Sequence, residues 1–150
     1  MRDGAKITGA PSGVTMGIGT FIMEGGEIIN NGDLNNPISV GGVSIGSISS
    51  RFEMNGGLIS GNAGKNVGGV KVGDSAISNG GTFIKTGGII TGYGDDPVNG
   101  NRIVDSNGQP AASGRGHAVY YSSSRYLNKT VKENHNVDTR QTGEAGGWVE

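Results

Sequence analysis

Residues 52–59 read Phe-Glu-Met-Asn-Gly-Gly-Leu-Ile, and a block of the same pattern, Phe-x-x-x-Gly-Gly-x-Ile, also occupies residues 21–28 and 83–90. The three copies start 31 residues apart, and the Phe always precedes the last Ile by seven positions. Fixed internal spacing at a fixed period is the sequence signature of repeat architectures. The copies therefore predict three equivalent structural units.

A second short block lies between the copies. It reads Gly-Val-Ser-Ile at 42–45 and Gly-Val-Lys-Val at 69–72, with weaker versions at 13–16 and 118–121. Apolar residues at alternate positions are typical of a short β-strand with one buried face. The number of residues between the blocks varies from one repeat to the next, which indicates constant strands joined by loops of variable length.

These patterns predict an all-β solenoid, because insertions in a solenoid lie in loops on its outside. We expect about three full rungs after a partial first rung, with each Gly-Gly pair forming a corner where positive φ is sterically cheap. Stacked rungs place like residues over like. The expected interior ladders are Phe21, Phe52 and Phe83; Ile28, Ile59 and Ile90; and Val14, Val43, Val70 and Val119.

Composition agrees with this prediction and excludes several classes of protein. Glycine accounts for 31 of 150 residues, and interior glycines cost a helix about 1 kcal/mol each, so long helices are disfavoured. A net charge of −1 gives no basic excess for nucleic acid. The chain has no cysteine and no apolar run long enough for a membrane-spanning helix. A β-sandwich with Gly-rich hairpins and a disordered chain are the competing alternatives.

The repeat resembles that of bacterial surface and secreted right-handed parallel β-helix proteins. The resemblance rests on Phe-x-Met-x-Gly-Gly-x-Ile-Ser-Gly-Asn at 52–62, followed by Gly-Gly-Val-x-Val, and it covers roughly residues 5–122. Chlamydial polymorphic outer-membrane proteins carry a related pair of motifs. Two departures interrupt the pattern: Lys85 replaces Met, and we place Asn31 one position early relative to Asn62. The resemblance implies right-handedness, an extracellular or cell-surface location, and a role in adhesion, surface structure or glycan contact.

The domain prediction divides the chain in two. Residues 1–124 are expected to form the parallel β-helix, interrupted by a long loop insertion at 93–115, and residues 125–150 to form a polar C-terminal tail or cap. Solenoid ends expose unpaired strand edges. We therefore expect the exposed edge of the first rung to have one of two partners. These are the rest of a larger surface protein, or another copy of the chain stacked end to end in a filament.

The sequence gives little support for catalysis. Gly94-Asp95-Asp96 and Arg115-Gly116-His117 resemble two of the four polygalacturonase motifs, but the other two are missing. Adjacent carboxylates in a strand point to opposite faces, whereas glycosidases need them about 5–9.5 Å apart. We therefore expect no enzyme activity, no cofactor and no built metal site. Asp95 and Asp96, together with Asp74 and Asp105, are weak candidates for calcium ligands.

The segment 117–126 contains three of the four tyrosines. Tyr120, Tyr121 and Tyr126, with Arg125 beside them, are candidates for stacking on sugar rings; covering the last rung is the alternative role. The sequence thus predicts a non-catalytic structural or adhesive module. A self-assembling filament subunit and a carbohydrate-binding or pectinase-like fragment remain alternative functions.

Overall fold

The protein is all-β in the part of the chain that the structure describes. The structure, a computed structural model, describes residues 1–73, 81–94, 96–111 and 117–121. Its strands in this part are β1 (Lys6–Ile7), β2 (Val14–Met16), β3 (Gly19–Met23), β4 (Glu27–Ile29), β5 (Val43–Ile45), β6 (Ser50–Met54), β7 (Leu58–Ser60), β8 (Ala63–Gly64), β9 (Val70–Val72), β10 (Thr82–Lys85), β11 (Ile89–Ile90), β12 (Arg102–Ile103) and β13 (Val119–Tyr121). No helix occurs among these residues, and hence none that could span a membrane.

All the strand pairs are parallel, and each sheet collects one strand from each successive pass of the chain. The Ile sheet has the order β1-β4-β7-β11, the Val sheet β13-β9-β5-β2 and the Phe sheet β10-β6-β3. A short fourth sheet pairs β12 with β8. The chain visits the Ile, Val and Phe sheets in the same order on every pass, so equivalent residues of successive passes become neighbours.

The Phe block is stacked in register along the Phe sheet. Phe21 pairs with Phe52, and Phe52 pairs with Phe83. The rings of Phe52 and Phe83 lie 5.0 Å apart and nearly parallel, while Phe21 and Phe52 are 5.5 Å apart and tilted. Phe52 is fully buried, so its ring is held between two others in the centre of the core.

The Ile and Val sheets carry two further interior columns. Ile7, Ile28, Ile59 and Ile90 are paired in sequence along the Ile sheet, and Val14, Val43, Val70 and Val119 along the Val sheet. In each strand of the Val sheet the middle residue faces outward and is more exposed than the Val before it. The alternation of inward apolar and outward polar residues follows from the two-residue period of a strand.

The Gly-Gly pair forms the corner between the Phe and Ile sheets. The second glycine of each pair has positive φ, at 84° for Gly26, 88° for Gly57 and 76° for Gly88. A Cβ on Gly57 would lie 2.5 Å from Cε of Met23 and 2.6 Å from the carbonyl oxygen of Gly26. Both the backbone conformation and the close approach of the neighbouring pass therefore require glycine here.

A buried asparagine column follows the Ile sheet, and it corrects our placement of Asn31. Asn31 and Asn62 each follow their ladder isoleucine by three positions, so they are in register. The side-chain amide Nδ2 of Asn31 donates to Oδ1 of Asn62 at 2.9 Å, and that of Asn62 to Oδ1 of Asn101 at 2.8 Å. Asn101 belongs to the same column although the loop at 93–100 precedes it in the chain.

Lys85 occupies the position of Met23 and Met54 in the Phe sheet. It pairs with Met54, which itself pairs with Met23, and its side chain is fully buried. The Nζ atom donates to the carbonyl oxygen of Gly88 at 2.8 Å. Burial lowers the pKa of Lys85 to about 8, because a low-dielectric environment disfavours the charged form.

The segment predicted as one insertion at 93–115 contains a strand of the stack. Gly92 forms a parallel bridge with Asn101, and β12 then pairs with β8 of the preceding pass. The chain thus leaves the stack at residues 93–100, rejoins it and leaves again after Val104. Residues 112–116 and the predicted tail at 125–150 lie outside the described residues.

The two ends of the stack differ in burial. The interior residues Ile7, Val14 and Phe21 of β1, β2 and β3 are half-buried. The equivalent residues Phe83, Ile90 and Val119, in the last described strands of the same sheets, are buried. Interior apolar side chains are therefore more exposed in β1–β3 than in the last described strands of the same sheets.

Candidate functional site

The outer face of the Val sheet presents a polar column that crosses four strands. Thr15 pairs with Ser44, Ser44 with Lys71, and Lys71 with Tyr120. Parallel strands are about 4.8 Å apart, so the column is roughly 14 Å long. It consists of two hydroxyls, an ammonium and a phenol, all on one rigid face.

Tyr120 is the one predicted ligand-binding residue whose side chain the structure describes. It is half-buried and stands at the end of the polar column, beside Lys71. The backbone of Tyr121 pairs with Val72 in β13, but its side chain lies outside the described part, as do Arg125 and Tyr126. The structure thus places Tyr120 with residues of the Val sheet that the sequence analysis did not select.

A cleft of about 210 Å³ lies at the other end of the column, under the loop that connects β4 to β5. Its walls come from the loop before β2, from the outer faces of β2 and β5, and from the connecting loop. The residues that line the cleft include Ser12, Thr15, Asp33, Asn36, Ile38 and Ser44. Hydroxyl, carboxylate and amide groups therefore converge on one small concave surface.

Local hydrogen bonds fix the loop that closes this cleft. Oδ1 of Asp33 accepts from the N–H of Asn35 at 2.9 Å, and Oδ1 of Asn36 accepts from the N–H of Ile38 at 3.1 Å. Ser39 anchors the end of the loop to the next pass, because its Oγ accepts from the N–H of Lys65 at 2.9 Å. Asp and Asn commonly organise turns in this way, and here the turns orient the two polar side chains.

Asp96, a predicted calcium ligand, is engaged within its own loop. Its Oδ1 accepts from the N–H groups of Val98 at 3.0 Å and Asn99 at 2.9 Å, and its Oδ2 accepts from Nδ2 of Asn99 at 3.1 Å. The N–H of Asn99, the side chain of Asn99 and the N–H of Val98 lower the pKa of Asp96, because hydrogen bonds to a carboxylate favour its charged form.

The remaining acidic candidates do not form a metal cluster with Asp96 in the described part of the chain. Asp74 and Asp95 lie outside it. Oδ1 of Asp105 accepts from the N–H groups of Asn107 at 2.8 Å and Gln109 at 2.9 Å. Among the described residues, no group of three or more His, Asp or Glu side chains is placed to hold a metal ion.

His117 is buried and joins β12 to the start of β13. Its Nδ1 accepts from the N–H of Ile103 at 3.0 Å, and its carbonyl oxygen accepts from the N–H of Gly69 at 3.0 Å. The ring of Tyr93 lies 5.5 Å from the imidazole. These contacts give His117 a structural position between the loop at 93–100 and the Val sheet.

The sequence analysis did not identify the cleft. Two signals point to it in retrospect: the connection from Ile28 to Val43 is 15 residues, longer than the corresponding 7 and 11 residues in neighbouring passes, and it contains Asp33 and Asn36. That this loop folds over Thr15 and Ser44 is a tertiary contact between two passes, which the spacing alone does not encode.

Comparison with known proteins gives no relative for this chain. No protein-family model matches it, and neither does any curated protein or solved structure. Inference about function therefore starts from the geometry of the chain itself.

Proposed function

We propose that this protein is a non-catalytic structural and adhesive module of a bacterial extracellular or cell-surface protein, folded as a right-handed parallel β-helix. The parallel register of the Ile, Val and Phe sheets supports a solenoid. Right-handed crossovers are the general rule for parallel strands. The resemblance of the repeat to bacterial surface β-helix proteins supports the location.

The observation that carries the proposal is that inward-facing columns of the strands keep their residue types between passes, whereas outward-facing positions of the Val sheet vary. Three interior columns keep one side chain from pass to pass, as in the Phe column at 21, 52 and 83. Outward positions of the Val sheet differ at every pass, as in Thr15, Ser44 and Lys71. A constant core with a variable surface is typical of a scaffold that presents binding groups on rigid strands and on loops.

A carbohydrate-active enzyme is less well supported by the same geometry. A general acid needs a raised pKa near the working pH, whereas the pKa of Asp96 is lowered by hydrogen bonds within its loop. Both oxygens of that carboxylate already accept hydrogen bonds. This arrangement suits a carboxylate that shapes a loop.

A filament subunit remains the second candidate, supported by the half-buried Ile7, Val14 and Phe21 on the edge strands β1, β2 and β3. End-to-end growth also needs an open surface at the opposite end. There, Phe83 and Ile90 are buried, which disfavours the addition of another copy. We therefore rank the adhesive module above the filament.

Two measurements on the full chain test the proposal. Surface plasmon resonance over immobilised polysaccharides and host-type glycoproteins is expected to show binding by the folded protein that heat denaturation abolishes. Sedimentation velocity is expected to give a particle near 15.2 kDa. Long uniform fibres would favour the filament, and release of reducing sugar from a bound polysaccharide would favour the enzyme.

A further inference from the structure

The cleft under the loop from β4 to β5 has the features of a small ligand site. It combines Asp33 and Asn36 on the loop with Ser44 on the outer face of the Val sheet. We propose that this cleft binds one neutral sugar unit of a glycan. The inference rests on the adhesive part of the proposed function and names the ligand class for it.

The polar groups of the cleft match the needs of a polyol. A sugar hydroxyl both donates and accepts, so its site must offer both kinds of partner. Oδ2 of Asp33 and the hydroxyl of Ser44 make no hydrogen bond with other described residues, while Oδ1 of Asp33 is held by the N–H of Asn35. The Nδ2 group of Asn36 supplies donors, because its Oδ1 is the atom held by Ile38. The residues that line the cleft thus carry an acceptor, a donor and a hydroxyl.

The charge of the lining favours a neutral ligand. Asp33 is the one ionisable side chain among the residues that line the cleft, so an anion would be repelled. Lys71 belongs to the adjacent strand and is outside the lining. A calcium ion needs six to eight oxygen ligands and usually several carboxylates, which a single aspartate does not provide.

The size and the apolar surface of the cleft fit a single sugar ring. A cleft of about 210 Å³ is smaller than the roughly 300–1,000 Å³ typical of drug-sized ligands, so it suits one small unit at a time. Ile38, which lines the cleft, is 71% exposed and offers an apolar surface for the C–H face of a sugar. A glycan that continues from the cleft would run along the polar column toward Tyr120, whose ring can stack on a further unit.

The test is an NMR titration of the full chain with three neutral probes: methyl α-mannopyranoside, methyl β-galactopyranoside and N-acetylglucosamine. At least one is expected to shift the backbone amides of Thr15, Asn36 and Ser44, with a dissociation constant in the millimolar range. Glucuronate is the anionic comparison and is expected to bind more weakly, because of Asp33.

Matched variants separate this site from a general surface effect. Asp33→Asn retains an oxygen for the Asn35 N–H but loses the charged acceptor, and it is expected to weaken sugar binding roughly tenfold. Asp105→Asn is the control, because Asp105 holds its own loop by the same kind of hydrogen bond; it is expected to leave binding unchanged.

The outcomes distinguish this inference from the proposed function. Shifts absent from the cleft at about 100 mM of every probe, or shifts that Asp33→Asn leaves unchanged, would overturn the sugar site. If the protein nevertheless binds immobilised glycans in the resonance assay, the adhesive function stands and its binding surface lies elsewhere. Loss of both signals would overturn the site and the adhesive function together.

Discussion

The side chain of Asn31 donates a hydrogen bond to the side chain of Asn62, 31 residues further along the chain, at 2.9 Å. The same Oδ1 of Asn62 accepts from the backbone N–H of Asn31 at 3.0 Å. Asn62 repeats both contacts with Asn101. Each asparagine therefore satisfies buried polar groups of the preceding pass, and the column fixes the register of the turns that follow the Ile sheet.

Removing the middle asparagine should be severely destabilising. Asn62→Ala deletes the acceptor for two buried donors of Asn31 and the donor to the carbonyl oxygen of Ile28. Since each unsatisfied buried group costs about 1–3 kcal/mol, we expect the free energy of unfolding in urea to fall by about 3 kcal/mol or more. Asn55→Ala is the control, because Asn55 makes its contacts on the exposed surface; its cost should stay below about 1 kcal/mol. Equal losses in the two variants would contradict a structural role for the buried column.

Alanine substitutions at Gly57 and Gly46 should have opposite effects on stability. Gly57→Ala places a methyl group at positive φ and 2.5 Å from Cε of Met23, so we expect a loss of roughly 2–4 kcal/mol in the free energy of unfolding. At Gly46 a Cβ meets no atom within 4 Å and φ is not positive. Gly46→Ala should therefore be neutral or stabilise the protein by about 0.5 kcal/mol. Thermal unfolding of both variants is the measurement, and a Gly57→Ala variant as stable as wild type would disprove the close approach at this corner.

Much of the core could be predicted from the sequence because its geometry is periodic. Phe21, Phe52 and Phe83 are equally spaced, and parallel strands at a constant repeat length can place them only over one another. The asparagine column is less apparent in the sequence. Asn31 and Asn62 share one spacing from their isoleucines, but Asn101 reaches the column through a loop of eight residues at 93–100, so its spacing from Ile90 does not match the other copies.

The candidate site was harder to predict because it depends on contacts between passes. Tyr120 could be selected from its aromatic neighbours in the sequence, but its place beside Lys71 follows from strand pairing across a gap of 49 residues. The cleft needs the loop at 33–39 to fold over β2 and β5. Side-chain hydrogen bonds of Asp33 and Asn36 shape the turns within that loop, but its position over β2 and β5 is a contact between passes that the sequence does not show.

His117 should be replaceable by a residue that keeps one acceptor atom. Its Nδ1 accepts from the buried N–H of Ile103. In His117→Asn the amide Oδ1 can take that place, whereas His117→Leu leaves the N–H without an acceptor, at a cost of about 1–3 kcal/mol. We expect the amide of Ile103 to lose protection from hydrogen exchange in the Leu variant and to keep most of it in the Asn variant. Similar protection in both variants would show that the imidazole acts only by packing.

Lys85 should make the stability of the protein depend on pH in the alkaline range. Its pKa is about 8 in the folded protein and 10.5 when unperturbed, so between these values the unfolded chain binds more protons than the folded one. Stability therefore rises with pH across this window, and below pH 8 the folded protein bears the full cost of a buried ammonium, up to about 3 kcal/mol.

Lys85→Met restores the residue of the two preceding passes, Met23 and Met54, and should be more stable than wild type at pH 7 by about 2–3 kcal/mol. The gain should shrink between pH 8 and 10.5 as Lys85 of the wild type loses its proton. Lys71→Met, on the outer face of the Val sheet, is the matched control and should change stability by less than about 0.5 kcal/mol. Urea denaturation of the three proteins from pH 7 to 10.5 measures these differences. A constant difference between wild type and Lys85→Met across the window would mean that Lys85 keeps its proton, and hence that water or a counter-charge reaches its ammonium group.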